Sequence, residues 1–108
     1  MEIKEINNFL EEMNTIWKKR EPKVFNDIEK LTFIRLSKLS EEVGELNEAV
    51  LAKYNFQRKE KNSKFDENSI SEELVDVIIT SFNIAYAQGL DLEPIIKKKM
   101  EKIKKRFQ

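Results

Sequence analysis

Two short acidic segments of this 108-residue sequence contain the residues best suited to chemistry. The segment SEEVGEL contains Glu42 and Glu45, and the segment EELVDVII contains Glu73 and Asp76. In each pair the two acids are three residues apart, which places them on one face of a helix. If the two helices pack together, four carboxylates converge and repel one another. A divalent cation relieves that repulsion, so the sequence predicts a metal site.

The surroundings of these acids favour a metal site over a solvated surface. Asp76 lies between Val75 and Val77 in a segment that is otherwise typical of a helix core, and burying an unpaired carboxylate is costly. Gly44 is also unusual, because glycine inside a helix costs about 1 kcal/mol relative to alanine. It is explained if another helix or a ligand approaches closely beside Glu45. The alternative is that the glutamates are good helix formers on a solvated face.

The residue types that the sequence lacks limit the chemistry further. There is no Cys and no His, which excludes thiol catalysis, disulfides, Ser-His triads and His-based zinc or di-iron sites. Oxygen is then the ligand type that remains, and it suits Mg²⁺, with Mn²⁺ as the alternative, better than zinc or copper. Catalysis has to use carboxylates, Lys, Arg, hydroxyl groups or an oxygen-liganded metal.

The charge distribution indicates which kinds of partner the protein can bind. Lys plus Arg and Asp plus Glu number 20 each, so no overall field favours nucleic acid or an acidic membrane. The basic segment KKKMEKIKKRF suits an anionic small ligand, or equally a solvated helix end where cations complement the dipole. No apolar run approaches the roughly 20 residues that span a bilayer, and MEIKEINNFL lacks a secretory h-region. We expect a cytoplasmic protein that binds neither nucleic acid nor membrane.

Length and composition predict one all-α domain over residues 1–108, a four-helix bundle with one long loop between the second and third main helices. Apolar residues make up 40% and charged residues 37%, with two Gly and two Pro, which is typical of helix bundles. The first helix ends near Glu21 and Pro22, because the residue before proline avoids the helical region. Its apolar stripe contains Ile3, Ile6, Leu10, Met13 and Trp17.

A second, longer helix is predicted from an N-cap pair, Asn26 with Glu29, to about Tyr54. Its expected inward residues are Ile34, Leu39, Val43, Leu46 and Val50. The polar stretch from Phe56 to Asn68 has no periodicity and predicts a long loop, which is either a lid or a plain connector.

Two more helices are predicted after this loop. Ser69 with Glu72 forms a capping box for the third helix, which stops at Gly89. Asp91 caps the fourth, and Pro94 is tolerated in its first turn. The expected inward residues are Leu74, Val77, Ile78, Ser81 and Ala85 on the third helix, and Leu92, Ile96, Ile103 and Phe107 on the fourth.

Together the two acidic motifs resemble those of the MazG-like all-α nucleoside triphosphate pyrophosphohydrolases. The family pattern is EExxE followed by ExxD, and here it reads Glu41-Glu42-Val43-Gly44-Glu45 and Glu73-Leu74-Val75-Asp76. LSEEVGELNEAV, EELVDVIITSFNIA and a Gly-Leu-Asp before a basic helix extend the resemblance to about residues 31–107. The resemblance implies Mg²⁺-dependent hydrolysis of a nucleoside or deoxynucleoside triphosphate to the monophosphate and pyrophosphate, in nucleotide-pool house-cleaning.

The resemblance also implies roles for individual residues. In the family the second and third glutamates of EExxE and both acids of ExxD hold the metal, and here these are Glu42, Glu45, Glu73 and Asp76. Glu41 or Glu45 is the catalytic candidate that orients or deprotonates the attacking water. Single-domain members of the family usually assemble as homodimers or homotetramers, so the resemblance implies one of these assemblies.

The candidate substrate-binding residues are Lys38, Lys53, Asn83, Lys99 and Arg106. Lys99 and Arg106 resemble the basic residues on the last helix of the family. Lys38 lies one turn before Glu42 and has salt-bridge formation with it as an alternative role. Asn83 is placed to hydrogen-bond sugar or phosphate, or to be an amide satisfied within the bundle.

Two kinds of alternative remain open from the sequence. Within the same superfamily, the activity would be like that of phosphoribosyl-ATP pyrophosphohydrolase or of a dUTPase. From a different class, the chain would be a noncatalytic helical interaction module with its acids on a solvated face. Release of pyrophosphate from a panel of nucleotides in the presence of Mg²⁺ discriminates between these functions.

Overall fold

The computed structural model describes residues 1–55 and 68–108. These residues form five helices and no strand, which confirms the predicted all-α class. The helices are α1 (Ile3–Arg20), α2 (Pro22–Phe25), α3 (Ile28–Lys53), α4 (Ser69–Ala87) and α5 (Glu93–Lys105). The loop predicted from Phe56 lies outside the described residues, apart from its last position, Asn68. Within the described part of the chain, every helix is too short or too polar to cross a membrane.

The described helices belong to two compact units. The first unit contains Met1–Thr32 and Phe82–Gln108, and the second contains Phe33–Ser81. Helices α3 and α4 each contribute residues to both units. The single domain over residues 1–108 stays a prediction.

Helix α1 has the apolar face that its periodicity predicts. Leu10 is fully buried, and the other four stripe residues are half-buried. The helix ends at Arg20, as expected before Pro22. The short helix α2 was not predicted: it starts at Pro22, because proline is well suited to the first turn of a helix. Its last residue, Phe25, packs against Trp17 with 6.3 Å between the ring centroids.

The start of α3 differs from the prediction. Asn26 is not its N-cap but the residue that ends α2, with its backbone N–H donating to the carbonyl of Pro22. Asp27 occupies the cap position instead, and its Oδ1 accepts the backbone N–H of Lys30 at 3.1 Å. The carbonyl of Asp27 also accepts the N–H of Leu31 at 2.9 Å. The extra helical turn that begins at Pro22 ends at Asn26, so the cap of α3 lies one residue later than predicted.

Helix α4 ends at Ala87, and the predicted stop signal, Gly89, follows two residues later. This glycine has φ +67°, a left-handed conformation that side chains with a Cβ rarely adopt. The N–H of Leu90 donates to the carbonyl of Ala85 at 2.9 Å, and the N–H of Gly89 donates to Tyr86 at 3.1 Å. This pair of hydrogen bonds is a Schellman motif.

The other predicted caps lie close to the observed boundaries. The carbonyl of Asn68 accepts the N–H of Glu72 at 3.0 Å, so Asn68 occupies the cap position and Ser69, the predicted cap, is the first residue of α4. Oδ1 of Asp91 accepts the N–H of Glu93 at 3.1 Å, just ahead of α5.

The first unit is held together by apolar contacts and by hydrogen bonds between α1 and α4. Its buried apolar residues are Leu10, Leu31 and Ala85. Asn14 is also buried, and its Nδ2 donates to the carbonyl of Leu10 at 2.7 Å and to Oδ1 of Asn83 at 3.1 Å. A buried amide with these partners fixes the register of α1 against α4.

The inward face of α3 is not the predicted one. Ile34, Val43 and Val50 are 46%, 41% and 37% exposed, whereas Arg35 and Glu42 are each 6% exposed. Leu39 and Leu46 are half-buried, as expected. The prediction failed because α3 is apolar on more than one side, and periodicity alone does not say which side packs inward.

The inward residues predicted on α4 and α5 are only partly correct. Val77, Ser81, Leu92 and Ile96 are half-buried and Ala85 is buried. Four others are exposed, namely Leu74 (46%), Ile78 (47%), Ile103 (44%) and Phe107 (87%). Periodicity shows which side of a helix is apolar, and it does not show how far along the helix a neighbour extends.

The fully buried position of Leu10 generates a stability prediction. We expect Leu10→Ala to lower the free energy of unfolding by about 2–5 kcal/mol, because a buried side chain is lost and a cavity is left. Phe9→Ala is the matched control, since Phe9 is the preceding residue on the same helix and is 46% exposed. Urea unfolding followed by circular dichroism measures both. Equal losses for the two variants would contradict the assignment of Leu10 to the core.

Candidate metal centre

The acidic residues of α3 and α4 come together within the second unit. One carboxylate oxygen from each of Glu42, Glu73 and Asp76 lies within 4.8 Å of the other two. We call these three residues the acidic centre. Glu42 comes from α3, and Glu73 and Asp76 come from one turn of α4. Helical spacing therefore aligns the two α4 acids, and the packing of the second unit adds the glutamate from α3.

Glu42 is the most buried member of the acidic centre. Its Oε1 accepts a salt bridge from Nζ of Lys38 at 3.1 Å, one turn earlier on α3. The hydrogen bond from Lys38 lowers the pKa of Glu42, and it raises the pKa of Lys38. Glu42 is therefore held as a carboxylate. Its other oxygen, Oε2, is buried and has no hydrogen-bond partner among the described residues.

Glu73 has the opposite electrostatic character. Burial penalises its charged form, and repulsion from Glu45 and Glu42 adds to this, so that its pKa rises to about 7. Its Oε2 is also buried, and within residues 1–55 and 68–108 it has no hydrogen-bond partner. Lys38 thus compensates the charge of Glu42, whereas in the described part of the chain the groups that act on Glu73 all raise its pKa.

The two remaining glutamates of the EExxE motif differ in position. Glu45 is half-buried and is not one of the three acids with converging oxygens, but its charge acts directly on Glu73. The side chain of Glu41 is 59% exposed and lies 3.5 Å from Nζ of Lys38. Glu45 is therefore beside the acidic centre, whereas Glu41 is at the solvent side of the Lys38 salt bridge.

The acidic centre fits a hard divalent cation. Its donors are all carboxylate oxygens, the ligand type that Mg²⁺, Ca²⁺ and Mn²⁺ prefer. Two of its oxygens are buried and unpartnered, on Glu42 and on Glu73, and unsatisfied buried acceptors are rare in folded proteins. The assignment of Glu42, Glu45, Glu73 and Asp76 as metal ligands stays a prediction.

The predicted substrate-binding residues have various surroundings. Lys38 bridges Glu41 and Glu42, which is the alternative that the sequence left open for it. Nζ of Lys53 lies 5.6 Å from the ring centroid of Tyr54, a cation–π distance. Asn83, Lys99 and Arg106 all belong to the first unit. Asn83 accepts a hydrogen bond from Asn14, and Lys99 and Arg106 are exposed on and just after α5.

Sequence reasoning missed Arg35. This cation is 6% exposed on α3, and it lies two helical turns before Glu42, on the same face of the helix. A charged residue is almost never buried without a partner. The signal was its spacing of seven residues from Glu42, which places the two on one line along the helix.

Comparison with known proteins identifies one family. The family described as MazG nucleotide pyrophosphohydrolase domain matches residues 34–108, a segment that includes both acidic motifs. This confirms the resemblance on which the sequence interpretation was based. No curated protein and no solved structure matches the chain.

The raised pKa of Glu73 predicts how stability depends on pH in metal-free protein. The folded-state pKa of about 7 exceeds the ordinary value of 4.5, so the Glu73 carboxyl costs no stability below about pH 4.5, while its destabilising effect grows between pH 4.5 and 7 and is complete above 7. We expect Glu73→Gln to stabilise the chelator-treated protein at pH 8 by about 1–2 kcal/mol, a rise in Tm of roughly 5–10 °C. At pH 5 this gain should be small. Thermal unfolding at the two pH values measures it.

The neighbouring Glu72→Gln is the matched control for this experiment. Glu72 is exposed on α4, so its removal should change Tm little at either pH. A Glu73→Gln variant that is less stable than the parent protein at pH 8 would show that Glu73 has a stabilising partner and is not repelled.

Proposed function

Because this chain belongs to the MazG nucleotide pyrophosphohydrolase domain family, we propose that it is a Mg²⁺-dependent enzyme that hydrolyses a nucleoside or deoxynucleoside triphosphate to the monophosphate and pyrophosphate. The observation that supports this function most directly is the convergence of Glu42, Glu73 and Asp76. The family match covers all of α4 and α3 from residue 34 onward, the parts of the two helices that supply these residues. The role in cells is the cleansing of nucleotide pools.

The proposed metal ligands are the acidic centre together with Glu45. The unpartnered oxygens of Glu42 and Glu73 are the first two donors, and Asp76 supplies a third within 4.8 Å of both. When bound, Mg²⁺ or Mn²⁺ supplies positive charge to phosphate oxygens that the carboxylates alone would repel. The salt bridge from Lys38 keeps Glu42 deprotonated and holds its side chain in place, so Lys38 is a positioning residue in this proposal.

Glu45 is the stronger candidate for the residue that handles the attacking water. It lies beside the acidic centre, close enough for its charge to raise the pKa of Glu73. Glu41 is more exposed and is shared with Lys38. In the proposed reaction, the water oxygen bonds to the α-phosphorus while the bond from this phosphorus to the α,β-bridging oxygen breaks. The proton of the water passes to the Glu45 carboxylate, and pyrophosphate leaves.

The residues proposed to contact the phosphates and the nucleoside are assigned from their charge, their polarity and their exposure. Lys53, Lys99 and Arg106 supply cations on exposed helical surfaces, as anionic phosphates require. Asn83 is the proposed amide contact. A nucleoside triphosphate is the proposed substrate, and a homodimer or homotetramer is the proposed assembly.

The proposed function predicts the effect of removing one ligand. We expect Asp76→Asn to lower kcat/KM by at least about 10²-fold, because an anionic donor to the cation is lost. Glu72→Gln, an exposed acid on the same helix, should retain parental activity. Pyrophosphate release from a panel of ribo- and deoxyribonucleoside triphosphates, with Mg²⁺ and with chelator, measures this. No release from any nucleotide would contradict the function and favour a noncatalytic helical module.

Metal binding should depend on pH through Glu73. Because this carboxyl has a pKa near 7 and must be deprotonated to bind a cation, Mg²⁺ affinity should rise up to about tenfold per pH unit below 7 and level off above it. Calorimetric titration with MgCl₂ at pH 6, 7 and 8, in buffers of different ionisation enthalpy, measures the affinity and the proton released. Affinity that does not change with pH would exclude Glu73 as a ligand.

A further inference from the structure

Helix α5 has one apolar side, which is half-buried at its start and exposed at its end. Successive steps of four, four, three and four residues align its members on one side of the helix, and these are Leu92, Ile96, Met100, Ile103 and Phe107. The first two are half-buried. Met100, Ile103 and Phe107 are 58%, 44% and 87% exposed, and we call these three residues the α5 apolar line.

The α5 apolar line is a large surface for three side chains. With roughly 150–200 Å² for each complete side chain, the exposed fractions leave about 300 Å² of apolar surface. The largest exposed apolar patch of a typical monomer has a similar area and is often functional. Phe107 contributes most of this area. Its backbone N–H donates to the carbonyl of Lys104 at 3.2 Å, so the helical turn continues to this residue.

Cations border the α5 apolar line on both sides. Lys97 and Lys104 lie roughly 70–90° around the helix from it on one side. Lys99 and Arg106 lie at about the same angle on the other side, and all four are exposed. Long basic side chains in such positions extend their charges away from an apolar surface while their methylene groups stay beside it. An apolar line between two rows of cations is typical of helices that lie in a membrane interface.

The overall balance of charge hides how strongly α5 differs from the rest of the chain. Residues 97–107 contain seven cations and one acid, a net charge of +6, and because the whole chain is neutral the other residues together carry −6. The helix dipole accounts for cations in the last turn alone, and Lys97, Lys98 and Lys99 precede that turn. The expectation that the chain binds no membrane follows from the overall balance, which does not describe this surface.

The charge of the surface limits what can cover it. A second copy of the same helix is disfavoured, because its cations would face those of the first. Residues 56–67, which lie outside the described part of the chain, contain four cations and three acids and do not complement it either. Nucleic acid would use the cations and leave the apolar line in water. An anionic bilayer complements both features, because its headgroups attract cations and its acyl boundary takes up apolar side chains.

We propose that the C-terminal half of α5, from Lys97 to Phe107, is a docking site for an anionic membrane surface. The helix lies in the plane of the bilayer, with the α5 apolar line below the headgroups and the bordering cations at their level. Such binding is reversible, because three apolar side chains bury far less surface than a spanning helix. The docking does not depend on the hydrolytic activity, and its test uses no nucleotide.

Flotation with lipid vesicles measures the docking. The protein should float with vesicles made from equal amounts of phosphatidylcholine and phosphatidylserine, and it should stay unbound with vesicles of phosphatidylcholine alone. About 1 M NaCl should release most of the bound protein, because the Debye length falls to about 3 Å. Failure to float with the mixed vesicles, or equal binding to both kinds of vesicle, would overturn the proposal.

Two pairs of lysines distinguish docking through this face from a general effect of charge. The double variant Lys97→Gln, Lys104→Gln removes two cations beside the α5 apolar line and should weaken binding to mixed vesicles at least about tenfold. The matched double variant Lys98→Gln, Lys105→Gln removes two cations from the opposite side of the helix. These lie about 10 Å farther from the bilayer, so the loss should stay below about threefold. Equal losses for the two pairs would contradict the proposed orientation.

The apolar contribution is tested with two exposed phenylalanines. Phe107→Ala should weaken binding to mixed vesicles at least about tenfold, because the largest side chain of the α5 apolar line is lost. Phe33→Ala, at a 67% exposed position on α3, should bind as the parent protein does. Circular dichroism verifies that all variants are folded.

A DNA duplex tests the other class of anionic partner. Fluorescence anisotropy with a labelled duplex should show at most weak binding, which Phe107→Ala leaves unchanged. Tight binding of the duplex together with vesicle binding that Phe107→Ala does not weaken would assign the cations to nucleic acid and overturn the proposal. Lys99 and Arg106 are kept in every variant, because they are the proposed substrate contacts on this helix.

Discussion

The carboxylates that α3 and α4 bring together in the second unit repel one another, and this repulsion has to be compensated for the unit to fold. Glu42 reaches the acidic centre as a carboxylate because Lys38 compensates its charge. The described groups that act on Glu73 all raise its pKa, so this carboxyl is protonated up to a pH near 7. A sequence selected only for stability would place apolar residues at these two positions. The residues that are unfavourable for folding are thus the ones suited to a cation, as functional sites commonly show.

This constraint also shapes the rest of α3. The buried positions of the helix are of both kinds, since Leu31 and Ala52 are buried and so are the charged Arg35 and Glu42. Other large apolar side chains of α3, such as Phe33, are exposed. The helix therefore departs from an ordinary amphipathic helix, in which charged residues face solvent and apolar residues face the core.

Whether the buried face of a helix could be predicted from the sequence depends on how many apolar faces the helix has. Helix α1 has one apolar face, and its buried residues and its end before Pro22 were both predictable. The left-handed stop at Gly89 was predictable too, because only glycine adopts that conformation easily. For α3 the same reasoning selected Ile34 and Val43, which are exposed, since it assigned every apolar position to the core.

Part of the acidic centre could be predicted from the sequence, because residue spacing along a helix fixes which side chains share a face. The spacing of three residues fixes Glu73 and Asp76 on one face of a helix whatever the fold. That Glu42 joins them more closely than Glu45 depends on the side chains of two packed helices, and local spacing does not determine it. The substrate-binding roles stay predictions: Asn83 and Lys99 belong to a different unit from the acids, and local spacing does not relate residues of the two units.

The thin core of the second unit makes a bound cation part of its stability. Among the described residues, the buried apolar side chains are Leu10, Leu31, Ala52 and Ala85, and only Ala52 belongs to this unit. A cation that neutralises the acidic centre would bind the folded state alone, so it would stabilise that state by mass action. The acids that repel one another without the cation would then hold α3 and α4 together through it.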